Sequence, residues 1–435
     1  MKKLKYILCL LPALLITSCS FKYSYIIDGL EMDDVDEGGD DGIDDSGTYK
    51  IKVWVDTKIV SLTQAQIAEF NANNSKIKFE AEVQPVSEGS ATSNMLLDVK
   101  NGADLFVFAQ DQLARLKVAG ALSKITGSFE DRLVAENSAE SVAAASMGSS
   151  IYAFPMTSDN GYFLMYDKTV FTDPNDVKNI STMLSKMGNK RLYFKAQSDG
   201  FYTASYFLAK EKDKPESETL CSCTWDLDEE TGNFTAYHDT FHEANGLIAA
   251  KGIKEIANKS LVTSDNSVSK FGDKAAAVVT GIWDYEAAYK RLGDNLGCAE
   301  MPCFTVDGKE YHLGSYDGYK LMGVKPQRDV KRASACRKLA QFLTGEACQT
   351  ERFQNVSWGP SNINSSQEKE VMDHPGLAAL AKQHKYATQQ GQCPGEWFLS
   401  LKTAASDITP NSTDTQLNTI LSNYYAGLPV LLSDE

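Results

Sequence analysis

Two histidines, His238 and His242, stand four residues apart, a spacing that could set two imidazoles on one helix face around a metal ion. Thr240-Phe241-His242-Glu243 has the S/T-x-x-E pattern of a capping box, which would start a helix at Thr240 and leave His238 outside it. Neither an H-E-x-x-H zinc motif nor a G-x-S-x-G nucleophile elbow occurs. From Asp34 the residues run Asp, Val, Asp, Glu, Gly, Gly, so Gly38 stands where a calcium loop needs a ligand. Seven cysteines follow Cys19, at 221, 223, 298, 303, 336, 348 and 393. Their odd number leaves at least one thiol free or paired between chains, and they lack paired C-x₂-C zinc spacing. Carboxylates are so abundant that no glycosidase dyad can be picked out by spacing. The expectation is a protein with no metal, no cofactor and no catalytic residue.

The elements that would hold such a site begin after a short export signal. Met1 to Lys5 carries three lysines, Tyr6 to Ile16 is mostly apolar, and Thr17-Ser18-Cys19 follows. The apolar core is too short to span a bilayer, which needs about 20 residues, and it contains Pro12. Ile16-Thr17-Ser18-Cys19 resembles the bacterial lipobox, in which the Cys is acylated and becomes the mature N-terminus. Residues 1–18 therefore read as a lipoprotein signal. Residues 19–46 read as an acidic tether, because nine acids between Glu31 and Asp45 repel one another and offer little to bury.

The body is ordinary for a globular chain, with 43% apolar and 23% charged residues over 435 positions. A formal charge of −15 argues against nucleic acid, whose binding needs clustered Lys and Arg. From Tyr49 the pattern alternates. It predicts strands at 49–55, 77–83 and 104–108 and helices at 61–73, 92–100 and 110–120, the first of them opened by the capping box Ser61-Leu62-Thr63-Gln64. Later strands are expected at 162–166, 191–195 and 275–280, and a clear helix at 331–343. A β-α-β-α-β run implies an open, mostly parallel α/β sheet, with ligands beyond the carboxyl ends of its strands. The positions just after Val55 and Phe108 are the first places to look.

Gly102 to Asp111 (GADLFVFAQD), followed by Ala119-Gly120-Ala121-Leu122, resembles the first signature of family 1 extracellular solute-binding proteins of ABC importers. Ala153-Phe154-Pro155-Met156 with 162–167 is similar to that family's first crossover. Ala275 to Trp283 resembles its G-x-W segment, and Leu313 to Gly318 its return crossover. The four occur in order across roughly 48–432, in the manner of the maltodextrin-binding branch.

The resemblance implies a two-lobed periplasmic-binding-protein fold of type II, with hinge crossovers. Lobe one would hold 47–157 and 317–356, and lobe two 158–316 and 357–435. It implies capture of an oligosaccharide, of the malto-oligosaccharide kind, by hinge closure. The ligand would pass to a permease and ATPase, since no Walker A motif or spanning helix follows the signal. The protein would be a monomer held to the outer face of the cell membrane through Cys19.

By the same resemblance the ligand contacts are Asp56 and Lys58 after the first strand, and Phe108 and Asp111 after the third. Asp159 follows the crossover, Asp199 and Tyr202 lie in lobe two, and Trp283 and Trp397 would be stacking platforms. Such a set suits a sugar, whose C–H faces lie on aromatic rings while carboxylates and amides meet its hydroxyls. Gln112 stands where the maltose binders have an arginine, which leaves the glycan open. Each Asp could equally cap a helix, and Trp358, Tyr316 and Asp317 read as packing residues near the hinge. A binder of another solute and a secreted glycoside-active enzyme remain the competing readings.

Overall fold

The structure is a computed structural model that describes residues 43–428. The signal and Cys19 lie outside the described residues. The acidic stretch is already docked by residue 45: Asp45 is buried and accepts hydrogen bonds from Ser334 Oγ at 2.8 Å and Lys338 Nζ at 2.5 Å.

Two five-stranded sheets organise the chain, and both have the same plan. The first runs in the order Ile77–Pro85, Gly47–Val55, Leu105–Ala109, Lys320–Val324, Ala153–Thr157. The second runs Val262–Thr263, Arg191–Tyr193, Ala275–Thr280, Phe163–Asp167, Leu296–Ala299. In each, the fourth strand is antiparallel to its neighbours. That strand is the one the chain makes immediately after crossing between the sheets. Phe163–Asp167 follows the outward crossing from Thr157, and Lys320–Val324 follows the return through Ser315–Asp317. A third crossing follows Ser357, whose left-handed φ of 60° ends the helix Glu346–Val356.

Several strands are buried along their whole length, among them Ala153–Thr157, Phe163–Asp167 and Ala275–Thr280. Helices cover both faces of such sheets, which is why these segments read as unbroken apolar runs. Separate apolar cores form around the two sheets. One joins Val53, Phe106, Phe108, Phe154 and Leu321. The other joins Tyr162, Phe194, Tyr206, Phe304 and Trp397.

Several helix starts differ from expectation; the helix expected at 92–100 spans Glu88–Leu97. Ser61 caps nothing, because Asp56 already opens a 3₁₀ turn at Thr57–Ile59 by accepting from the Lys58 N–H at 2.8 Å, and the helix Val60–Asn73 continues from it. The box at Thr240 is also absent. His238 lies within the strand Phe234–Asp239, Thr240 Oγ1 accepts from the Ser222 N–H at 3.0 Å, and the helix begins only at Ala244.

Candidate functional site

The parallel strands of lobe one all end on one edge, and the antiparallel Lys320–Val324 strand starts there. Lys320 pairs with both Ala109 and Thr157. Asp56, Glu88, Gln110, Asp111, Thr157 and Lys320 are thereby gathered from five chain segments. Several of their polar atoms are buried without a hydrogen-bond partner: Glu88 Oε2, Gln110 Oε1, Thr157 Oγ1 and, one turn beyond Glu88, Thr92 Oγ1. Buried polar atoms are ordinarily paired, so a cluster of unpaired ones marks where a polar ligand or water belongs.

Lys320 is fully buried at the centre of this edge. Its Nζ lies 3.3 Å from Asp159 Oδ1 and 4.0 Å from Glu88 Oε1. It also stands 4.2 Å from the ring centre of Trp358 and 5.7 Å from that of Trp283. The Trp358 Nε1–H has no acceptor. Asp159 Oδ2 accepts from the Gly359 N–H at 2.7 Å, so this carboxylate ties two crossings to the return strand.

Lobe two presents its own strand ends opposite. Asp199 caps the helix Gly200–Phe207 by accepting from the Phe201 N–H at 3.1 Å. Trp283, half-buried, stands just beyond the strand Ala275–Thr280. Its ring folds back over Gly281, where a Cβ would come within 2.2 Å of ring carbons, so only glycine allows this pose. Lys58 Nζ of lobe one donates to the Trp283 carbonyl, closing the gap at that side. Ser357 also bonds Glu286 there. Gln392 makes a second bridge, accepting from the Ala114 N–H and donating to the Gln110 carbonyl, both at 3.0 Å.

Of the residues expected at the site, Asp56, Lys58, Asp111, Asp159, Asp199 and Trp283 lie on or between the two facing edges. Asp111 does not cap its helix. It accepts from Gln112 Nε2 at 2.6 Å, and burial pushes its carboxyl up to about 6. Three other expectations need correction. Phe108 is enclosed in the core of lobe one, with its ring 5.6 Å from that of Phe106, because strand alternation turns it away from the edge.

Trp397 is enclosed in the core of lobe two. Its rings meet Trp225, Phe241 and Phe398 at 5.4, 5.5 and 5.1 Å, and its Nε1–H donates to Asp239. Its helix, Gly395–Asp407, packs that face inward. Tyr202 is buried beside Tyr162, with ring centres 4.9 Å apart, and its hydroxyl accepts from Asn266 at 3.2 Å. Desolvation raises the Tyr202 hydroxyl's affinity for its proton.

Glu88 and Lys320 were missed, and Trp358 was read only as a packing residue near the hinge. Lys320 gave one usable signal: a lysine opening an otherwise apolar strand, Lys320–Val324, that is buried throughout.

A largely apolar cavity of about 430 Å³ lies elsewhere on the hinge, against Ser158, Tyr316, Tyr319, Pro360, Leu377 and Leu380. Among the described residues no group of three or more His, Cys, Asp or Glu side chains could hold a metal ion, and no helix is long and apolar enough to cross a membrane.

Two α/β lobes, three crossings and a polar gap between facing strand ends define a hinged binding protein. Residues 65–379 match the family described as bacterial extracellular solute-binding protein, and the chain belongs to it. The maltotriose-binding protein of Pyrococcus abyssi is 20% identical over 402 residues, covering 87% of this chain and 81% of its own. The solved maltodextrin-binding protein of L. casei BL23, without ligand, is 19% identical with a TM-score of 0.70, over 87% of this chain and 98% of that one. The Thermus thermophilus maltotriose-binding protein bound with maltotriose is 18% identical with a TM-score of 0.67, over 86% and 98%.

Proposed function

We propose that this protein is the carbohydrate-binding subunit of an ABC sugar importer and that it takes a malto-oligosaccharide. The observation that carries this reading is the band of unpartnered polar atoms on the lobe-one edge, facing the half-buried Trp283 across the gap. A pyranose needs that combination of hydroxyl partners and a flat apolar surface. The relatives support the ligand class, since they bind maltotriose or maltodextrin. Asp56, Lys58, Asp111, Asp199 and Trp283 are among the contacts. Phe108, Asp159, Tyr202 and Trp397 act from behind, by holding the edges that carry them.

Binding draws the lobes together because the ligand touches both only when they are closed, and this differential contact drives the shift. The protein performs no reaction. Acyl chains on Cys19 hold it to the outer face of the cell membrane, and as a monomer it delivers the ligand to a permease and its ATPase.

Calorimetry with a panel of glycans from maltose to maltoheptaose, with β-linked glucans alongside, tests the ligand class. Labelled maltotetraose should bind and be recovered intact. Release of shorter sugars would establish an enzyme instead. Intact-mass analysis of the native protein should show acylated Cys19 as its first residue.

A further inference from the structure

Lys320 has three N–H donors. Asp159 accepts one at 3.3 Å, and the Trp358 ring faces the ammonium at 4.2 Å. Among the described residues it makes no other hydrogen bond, although it is fully buried. Beside it Glu88 has the converse condition: Oε1 lies 4.0 Å from the ammonium, and Oε2 is buried with nothing donating to it. A donor and an acceptor thus stand next to each other, both with unused capacity. Trp283 lies over the same spot from the opposite lobe, 5.7 Å from the Lys320 Nζ.

We propose that Lys320 and Glu88 together read a pair of adjacent hydroxyls on one sugar ring, and that Lys320 is the specificity-determining residue of the cleft. This rests on the carbohydrate reading above. The ammonium donates to the oxygen of one hydroxyl, and Glu88 Oε2 accepts the proton of its neighbour. A charged donor and a charged acceptor make the stronger class of hydrogen bond, and a buried one is costly to leave unmade. Trp283 covers the apolar face of the same ring.

The position of Lys320 adds a consequence. It is the first residue of the strand after the return crossing, and Asp159 pins it to the outward crossing and, through Gly359, to the third. A hydroxyl bound there engages the group on which all three crossings converge. The reader favours neutral sugars that carry a vicinal diol, and it penalises ligands lacking either hydroxyl.

The test is calorimetric titration of wild type, Lys320→Met and Glu88→Gln with maltotriose and its singly deoxygenated analogues. In the wild type, removing either read hydroxyl should weaken binding at least tenfold. Lys320→Met and Glu88→Gln should each weaken maltotriose at least tenfold, and each should reduce the penalty for its own missing hydroxyl to less than twofold. A purely structural lysine would weaken every analogue alike and leave all the penalties as they were, which overturns the proposal while sparing the carbohydrate reading. Glu88 is partly exposed, so Glu88→Gln carries the test should Lys320→Met fail to fold. A wild type that binds no glucan in the panel overturns the carbohydrate reading and the hydroxyl reader with it.

Discussion

Lobe one and lobe two are built to one plan, with five strands in the same order and the fourth reversed, yet they expose different chemistry at the facing edges. Lobe one offers Glu88, Gln110, Asp111, Thr157 and Lys320, several with unpartnered atoms. Lobe two offers one half-buried tryptophan and an aspartate occupied in capping a helix. Its remaining aromatics pack on one another: Phe201 stacks on Tyr316 at 5.5 Å and meets Tyr162 at 5.1 Å. Shared topology sets where an edge lies. Whether a residue at that edge is free depends on what the rest of its lobe needs for a core.

The sharpest way to break this comparison uses two tryptophans of lobe two. Trp397→Ala should lose roughly 3–5 kcal/mol of stability, the cost of emptying a large core site. The folded fraction should still bind. Trp283→Ala should reverse that pattern, weakening ligand by roughly 2 kcal/mol, a hot-spot effect, with little change in the ligand-free melting temperature. Thermal melts and calorimetry on both variants check the pair. Equal stability losses would show that the edge tryptophan is also a core residue.

The bridges between the lobes give a smaller effect. Gln392→Ala removes two interlobe hydrogen bonds, at roughly 1 kcal/mol net for each. It should favour the open form and enlarge the ligand-free radius measured by solution scattering. An unchanged radius would mean that Gln392 does not hold the gap closed.

The smallest effects are pH slopes, and Asp111 in lobe one and His312 in lobe two should contribute slopes of opposite sign. In lobe one the Asp111 carboxyl is raised from 3.8 to about 6 by burial, so the folded state keeps that proton longer than the unfolded chain. Its contribution to stability falls as pH rises from about 4 to 6. In lobe two His312 is lowered from 6.5 to about 4, again by burial, with its Nδ1 2.9 Å from the Leu313 carbonyl. The unfolded chain binds that proton first, so the contribution of His312 is present above pH 6.5 and is lost as pH falls toward 4. Denaturant midpoints across pH 4–7 should steepen in Asp111→Asn, which removes the opposing slope, and flatten in His312→Gln.

Much of the fold was legible because it rests on local pattern. The buried strands at 105–109, 163–167 and 275–280 announce themselves as apolar runs, and four ordered motifs carried the two-lobed reading. Helix starts were less legible. At Val60 a 3₁₀ turn capped by Asp56 brought the helix forward, and at Thr240 an antiparallel pair with Cys223–Leu227 claimed the residues that looked like a cap. Of the contacts the resemblance implied, Asp56, Lys58, Asp111 and Trp283 came to lie just beyond strand ends at the facing edges. Phe108 and Trp397 did not, because an aromatic side chain suits a core and a sugar platform equally.

The amino-acid sequence by itself determined the alternation of elements, the strand ends that face the gap, and the glycine that lets Trp283 fold back. Each of these depends on residues within a few positions of one another. Tertiary structure alone decided which polar groups are left unpartnered. Asp159, Lys320 and Gly359 are separated by as many as 200 positions and meet only because three crossings converge, and Glu88 joins them from a helix across the sheet edge. Hydrogen bonding saturates, so a side chain's availability to ligand depends on every neighbour that could satisfy it first. That accounting exists only in three dimensions.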